Sequence, residues 1–198
     1  MTEEAQLGDA TRLVESRLRE HLSVIESFVD QSDTIASIAA TVTRVLGAGG
    51  KVLIFGNGGS AADAQHFAGE LVGRLYLERR ALPVIALSTN TSNMTAISND
   101  FGFDSVFSRQ VEALGTTGDL AIGISTSGNS PNVVKALEVA RNAGLGTIGM
   151  TGRGGGVMGD STDMCLSVET DDTPRCQEAH ISAIHIICEL IEKDLAAT

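Results

Sequence analysis

The chain has no tryptophan, one tyrosine and six phenylalanines, so aromatic residues make up only 4% of it. A surface that holds nucleic acid by stacking its bases needs aromatic platforms, and too few are present. Positive charge is also scarce: 14 Lys and Arg stand against 25 Asp and Glu, a formal net charge of −11. Broad contact with a phosphate backbone is excluded on that ground, so no nucleic-acid partner is expected. No apolar run reaches the roughly 18 residues that a membrane span requires, and no membrane partner is expected either. The opening segment MTEEAQLGDATRLVESRLRE is charged and lacks the apolar stretch of a secretory leader. Cys165, Cys176 and Cys188 are odd in number and form no CxxC pair. They read as reduced, buried thiols of a cytoplasmic protein.

What is present is a chain of 198 residues that is 42% hydrophobic, enough for one domain with a helical appendage. Over residues 8–30, Leu13, Val14, Leu18, Leu22, Ile25 and Phe28 recur at three- and four-residue spacing and predict an amphipathic helix. A second helix is predicted from Ser32 to Leu46, closed by Gly47 and Gly49. The pattern then changes to short continuous apolar runs: KVLIF (51–55), LPVIALS (82–88), DLAIGIS (119–125), GTIGM (146–150) and MCLSV (164–168). Helical patterns at 60–76, 105–114 and 131–143 lie between most of them. Apolar strands alternating with helices imply a parallel sheet covered on both faces. With right-handed crossovers the fold class is α/β, a doubly wound three-layer α/β/α sandwich of five strands in the manner of flavodoxin, with an N-terminal helical extension. The final helix, from about Arg175 to Leu195, reads as apolar nearly all round and so calls for burial on most sides, with another subunit as its cover. The segment TGRGGGVMGD (151–160) reads as a glycine-rich loop, and Thr89–Asn93 carries no clear pattern.

Two turns sit where strands of such a sheet end, at the edge where ligands bind. GNGGS (56–60) follows KVLIF, and STSGNSP (125–131) follows DLAIGI. Glycines let the backbone turn and let a ligand come close, and the helix N-termini that follow present free N–H groups. Ser130 is a good N-cap and Pro131 a good first helical residue. The hydroxyls of Ser125, Thr126, Ser127 and Ser130 add neutral donors, and the whole suits a phosphate monoester better than a plain tight turn. Neither turn has the spacing of a dinucleotide or ATP loop.

The remaining chemistry lies on two helices. His66 and Glu70 are one turn apart and share a face. In RCQEAHISAIHIICELIE (175–192), Gln177 and His185 are just over two turns apart and also share a face, whereas His180 lies about 140° away. Set between isoleucines, His185 reads as a buried histidine in need of a partner. On spacing alone these residues are open to three readings: satisfied structural side chains, a zinc site built from two N/O donors on each helix, or an acid–base pair.

Taken together, GNGGSAADAQHFAGELVGR, SNDFGF, GISTSGNS and QEAHISAIHIICELIEK resemble the sedoheptulose 7-phosphate isomerases, the phosphoheptose isomerases of the SIS phosphosugar-binding superfamily, over nearly the whole chain. The resemblance implies a single SIS domain over 1–198. Residues 1–48 would serve oligomerisation, and 49–198 would form the α/β core and C-terminal helix. It implies that Asn57, Gly58 and Gly59 contact substrate, Asn99 and Asp100 contact the sugar, and Ser125, Thr126, Ser127 and Ser130 hold the phosphate. It implies a zinc site of His66, Glu70, Gln177 and His185, with Gln177 also touching substrate. Glu70 and His185 would be the acid–base pair, and the protein a homotetramer with active sites at subunit interfaces. The implied reaction converts sedoheptulose 7-phosphate to D-glycero-D-manno-heptose 7-phosphate through an enediolate. A related branch is a tetrameric regulator that binds the bacterial replication initiator. It shares the glycine turn and the QHFA stretch but lacks the counterparts of Glu70 and His185. A sugar-phosphate sensor or another aldose–ketose isomerase is a third reading. The chain departs from the better-known isomerases at Gly69, where they carry Glu, and at Ala61 and Ala62, where they are more polar. Arg74, one turn past Glu70, is placed to reach a phosphate, a neighbouring subunit or solvent.

Overall fold

The computed structural model describes residues 3–196. Helix α1 (Glu3–Phe28) passes through a 3-10 turn at Val29–Gln31 into α2 (Ser32–Gly47). The sheet is formed by β1 (Val52–Gly56), β2 (Val84–Ala86), β3 (Leu120–Ser125), β4 (Gly146–Thr151) and β5 (Met164–Ser167). Between and after the strands lie α3 (Gly59–Val72), α4 (Thr91–Phe101), α5 (Ser108–Leu114), α6 (Pro131–Asn142), α7 (Gly156–Ser161) and α8 (Thr173–Ala196). All strand pairs are parallel, in the order β2-β1-β3-β4-β5. Ile54 of β1 faces Ala86 on one side and Ile122 on the other, and Ile122 in turn faces Ile148.

Every residue of β1 and β3 is buried, which is why they read as continuous apolar runs rather than alternating ones. Alternation shows instead in which layer each side chain joins. Val52 and Ile54 pack with α2, α3 and α8 through Ile38, Leu46, Phe67, Leu71, Ile184 and Ile187. Leu53 and Phe55 pack on the opposite face with Phe107, Val111, Val133 and Leu137. There the rings of Phe55 and Phe107 stack at 5.3 Å.

The structure differs from the sequence reading at several points. Strand β2 is only three residues long within the 82–88 run. It is an edge strand, and Pro83, which has no N–H to give, offers its carbonyl to Val52 N at 2.9 Å. The unpatterned stretch at 89–93 starts a helix. Asn90 caps α4 by accepting a hydrogen bond from Asn93 N at 3.0 Å, and the SND stretch lies in that helix. The glycine-rich segment contains α7, entered through Gly155 at φ 74°. Helix α8 finds most of its cover within the chain, against α1, α2 and α3, which leaves Ile186 46% exposed. The larger uncovered apolar stripe is on α1, where Leu13, Val14, Leu18 and Leu22 are each more than half exposed. No helix among the described residues is long and apolar enough to cross a membrane.

Candidate active site

Strands β1 and β3 are neighbours, and the chain leaves them in opposite directions, from β1 to the edge strand β2 and from β3 to β4. This is the topological switch point, where the turns after the two strands part and leave a crevice. A cleft of about 280 Å³ opens there, lined by both turns together with Thr173 and Gln177 from the start of α8.

The first turn is shaped by close approach. At Gly59 a Cβ would stand 2.7 Å from Cδ and Oε1 of Gln177, so a side chain there would push the end of Gln177 aside from its place in the cleft. Gly58, the N-cap of α3, has φ 57°. Asn57 lines the cleft and pairs its side-chain amide with that of Asn132. In the second turn, Ser130 occupies the N-cap position of α6 as the sequence predicts, but its hydroxyl makes no cap bond. It pairs instead with Ser125 Oγ at 2.8 Å, and Ser125 Oγ lies 3.3 Å from Ser127 Oγ. The turn is braced from behind. Gly128, at φ 65°, sits so near Gly155 that a Cβ would collide with the Gly155 carbonyl, and its own carbonyl accepts from Met158 N at 3.1 Å. The result is a set of mutually bonded hydroxyls at the N-terminus of a twelve-residue helix, with no charged side chain in the cleft lining. Neutral donors and a helix N-terminus favour an anion.

Helices α3 and α8 also bring His66, Glu70 and His185 together. His66 Nε2 lies 2.8 Å from His185 Nε2 and 3.2 Å from Glu70 Oε1, and one donor atom from each of the three fits within 4.8 Å of the others. Two imidazole nitrogens and a carboxylate are a donor set that suits zinc. His185 is exposed rather than buried. Ile184 and Ile187 turn into the core while His185 and Ile186 face outward, and His185 finds its partner in His66, with Glu70 close by. The amide of Gln177 lies beside Gly59 in the cleft.

Surrounding groups are tuned by burial. His180 is fully buried, donates from Nε2 to the Thr151 carbonyl at 3.0 Å, and has its pKa pushed down to about 4 by burial, with that hydrogen bond only partly opposing. It is a neutral structural histidine. Cys188 is pushed up to about 12 by burial and then by the Glu70 charge, and Cys176 to about 12 by burial and then by Asp63. Both are inert thiols.

Of the residues singled out by sequence, Asn57, Gly58, Gly59, Ser125, Thr126, Ser130 and Gln177 line the cleft, and Ser127 joins through the hydroxyl set. Asn99 and Asp100 do not line it. They sit exposed in the last turn of α4, bonded to each other at 2.7 Å. Arg74 is exposed, with no partner among the described residues. Gly69 does not permit a close helix approach within the chain, since a Cβ there would meet nothing within 4 Å. Sequence reading missed Asn132 and Thr173, which have no motif of their own. It also missed Asp63, one turn before His66, whose Oδ2 is buried without a partner among the described residues.

Comparison with known proteins gives a consistent result. The SIS domain family model matches residues 18–152. A phosphoheptose isomerase of Trichlorobacter lovleyi is 54% identical over 183 residues, which cover 92% of this chain and 93% of that protein. Among solved structures, a phosphoheptose isomerase from Francisella tularensis superposes with a TM-score of 0.90 at 33% identity, covering 93% of this chain and 98% of that one. Phosphoheptose isomerase GmhA from Neisseria gonorrhoeae gives 0.88 at 41% identity, with 93% and 99% covered. The chain belongs to the phosphoheptose isomerase family of SIS-domain proteins.

Proposed function

We propose that the protein is an aldose–ketose isomerase that converts D-sedoheptulose 7-phosphate to D-glycero-D-manno-heptose 7-phosphate, the first step toward nucleotide-activated heptose precursors. The observation that carries this reading is the meeting of Glu70 and His185 with His66 on α3 and α8, the two helices whose first turns line the hydroxyl-bearing cleft. The names of its relatives support the substrate class.

In this reading Ser125, Thr126, Ser127 and Ser130 hold the phosphate at the N-terminus of α6, while Asn57, Gly58, Gly59 and Gln177 line the path of the sugar. Glu70 removes a proton from C1 and returns it to C2. His185 gives a proton to O2 and takes one from O1, so the carbonyl moves from C2 to C1 with no net loss. His66, Glu70 and His185, with Gln177 as the fourth residue, would hold a zinc ion, which when bound would polarise the carbonyl and stabilise the charge developing on the enediolate oxygens. Asn99 and Asp100, which do not line the cleft of their own chain, would reach the sugar from a neighbouring copy, and the exposed stripe on α1 is the surface by which a homotetramer would form. The protein would act in the cytoplasm.

The test is turnover of sedoheptulose 7-phosphate by purified protein with and without added zinc, with NMR identification of the aldose product. Product formation upholds the reading. No product from an intact, zinc-supplemented oligomer overturns it in favour of a sugar-phosphate sensor or a protein-binding role. Comparing the zinc-free and zinc-loaded rates also shows whether Glu70 works as a base while it is held by metal.

A further inference from the structure

A buried ion pair lies behind the His66–Glu70–His185 cluster. The side chains of Arg79 and Glu192 are each 1% exposed, with Arg79 Nε 3.4 Å from Glu192 Oε1. Arg79 comes from the irregular segment that follows α3, and Glu192 stands two turns beyond His185 on α8. Burying two charges is costly unless both are well bonded; here both carry several hydrogen bonds, and only Arg79 Nε has no hydrogen-bond partner among the described residues, meeting Glu192 through charge alone. Arg79 Nη2 donates to the Glu70 carbonyl at 2.8 Å, and Nη1 donates to the carbonyls of Leu71 at 2.8 Å, Gly73 at 3.1 Å and Arg80 at 3.0 Å. Glu192 accepts from the backbone N–H groups of Leu75 at 3.0 Å, Tyr76 at 2.6 Å and Leu77 at 2.8 Å. Burial alone would raise the Glu192 carboxyl, but these donors and the Arg79 charge outweigh it and hold the pKa below the usual range.

The geometry of these bonds is specific to the site. The guanidinium collects the last carbonyls of α3, where a cation also complements the helix dipole, and one of them belongs to Glu70 itself. The carboxylate collects the N–H groups of the segment leaving α3. The two charges then meet. The C-terminal end of α3, which carries Glu70, is thereby clamped to the stretch of α8 that follows His185. An apolar pair of similar volume would fill the same space without burying a charge, but it would leave these backbone groups without partners and fix no helix position.

We propose that Arg79 and Glu192 are positioning residues that set Glu70 and His66 on α3 in register with His185 on α8. This deepens the functional reading above and rests on it for the catalytic consequence, though not for the geometric one. Removing one partner strands a buried charge and destabilises the protein whatever its role, so the informative variant replaces both.

The experiment compares wild type with the double variant Arg79→Met/Glu192→Met in three measurements: thermal stability, turnover of sedoheptulose 7-phosphate, and the imidazole nitrogen NMR shifts of His66 and His185 in metal-free protein. The expected result is a folded protein with a lowered melting temperature, because the backbone groups that the pair satisfied lose their partners, with kcat lowered at least tenfold, KM within about twofold, and displaced His66 and His185 resonances. Wild-type kcat and unmoved imidazole shifts in a folded double variant would show a structural staple only and overturn the proposal. If the double variant does not fold, Arg79→Lys keeps the charge but loses the planar fork. Reduced kcat with displaced imidazole shifts then supports the proposal, and no change overturns it. If wild type itself fails to turn over the substrate, the functional reading falls, and the imidazole shifts alone decide the positioning role.

Discussion

The side-chain amides of Asn57 and Asn132 are bonded to each other twice, each Nδ2 donating to the other's Oδ1 at 2.9 Å. Asn57 belongs to the turn after β1, and Asn132, which is buried, belongs to the first turn of α6. This one reciprocal pair ties together the two turns that border the cleft. It fixes which way each amide faces, since flipping either one would oppose oxygen to oxygen and nitrogen to nitrogen. Asn57 keeps one N–H and one lone pair for a ligand, in an orientation set by Asn132. Replacing Asn132 by Asp leaves only oxygens facing Asn57, so one bond is lost and a buried carboxylate is set against Asn57 Oδ1. The expected outcome is a fall in kcat/KM for the sugar phosphate of about ten- to a hundredfold. Steady-state kinetics on Asn132→Asp, with circular dichroism to confirm the fold, would check it. Unchanged kinetics would remove Asn57 from ligand orientation.

Glu70 is the carboxylate to which the proposed chemistry assigns the carbon-bound proton. Replacing it by Gln keeps its shape and nearly its volume but removes the base. Turnover should fall by about a hundred- to ten-thousandfold, while light scattering should report the same oligomer as wild type. Surviving activity would take Glu70 out of the proton transfer, leaving His185 as the group to examine.

Asp63 offers a pH test. Its Oδ2 is buried without a partner among the described residues. Burial raises its pKa from the ordinary 3.8 to about 6, with the nearby His66 only partly opposing. A carboxyl whose pKa is raised by folding holds its proton more tightly in the native state than in the unfolded one. Its contribution to stability is therefore fully present below about pH 4 and is lost as the pH rises toward 6. Asp63→Asn removes that loss. The expected result is that the stability of Asp63→Asn relative to wild type increases across pH 4 to 6 and then stays level, measured by urea denaturation at fixed ionic strength. A difference that does not change across this window would mean that the carboxyl finds a partner or solvent.

The fold was legible because burial on both faces of the sheet leaves continuous apolar runs, and because glycine turns mark the ends of β1 and β3. The two halves of the site were legible for similar reasons: helical spacing pairs His66 with Glu70 and Gln177 with His185 without reference to anything distant. Three features were not. Helix α4 buries no residue, so it lacks the apolar stripe that would announce it, and only the Asn90 cap marks its start. The hydroxyl of Ser130 looked like a cap because residue type and position agreed, yet the nearby Ser125 hydroxyl competes for it and wins. The partnerships of Asn57 with Asn132 and of Arg79 with Glu192 join segments far apart in sequence, and no local period encodes them.

Gly69 gives the sharpest separation between one chain and an assembly. It lies in the helical body of α3, it is exposed, and a Cβ there would meet nothing within 4 Å. Its φ is not in the left-handed region. Nothing within the chain requires glycine, and a glycine inside a helix costs about 1 kcal/mol relative to alanine. If the chain alone decides, Gly69→Ala should stabilise the protein by about that amount, mainly by restricting the unfolded state. Denaturation midpoints for the two proteins at equal concentration would show it. Loss of stability, accompanied by dissociation in light scattering, would mean that Gly69 faces a second copy at close range. The groove that it lines with Val72 and Ile85 at the β2 edge would then be an inter-subunit contact, because a methyl group is harmful there only if something outside this chain already fills the space.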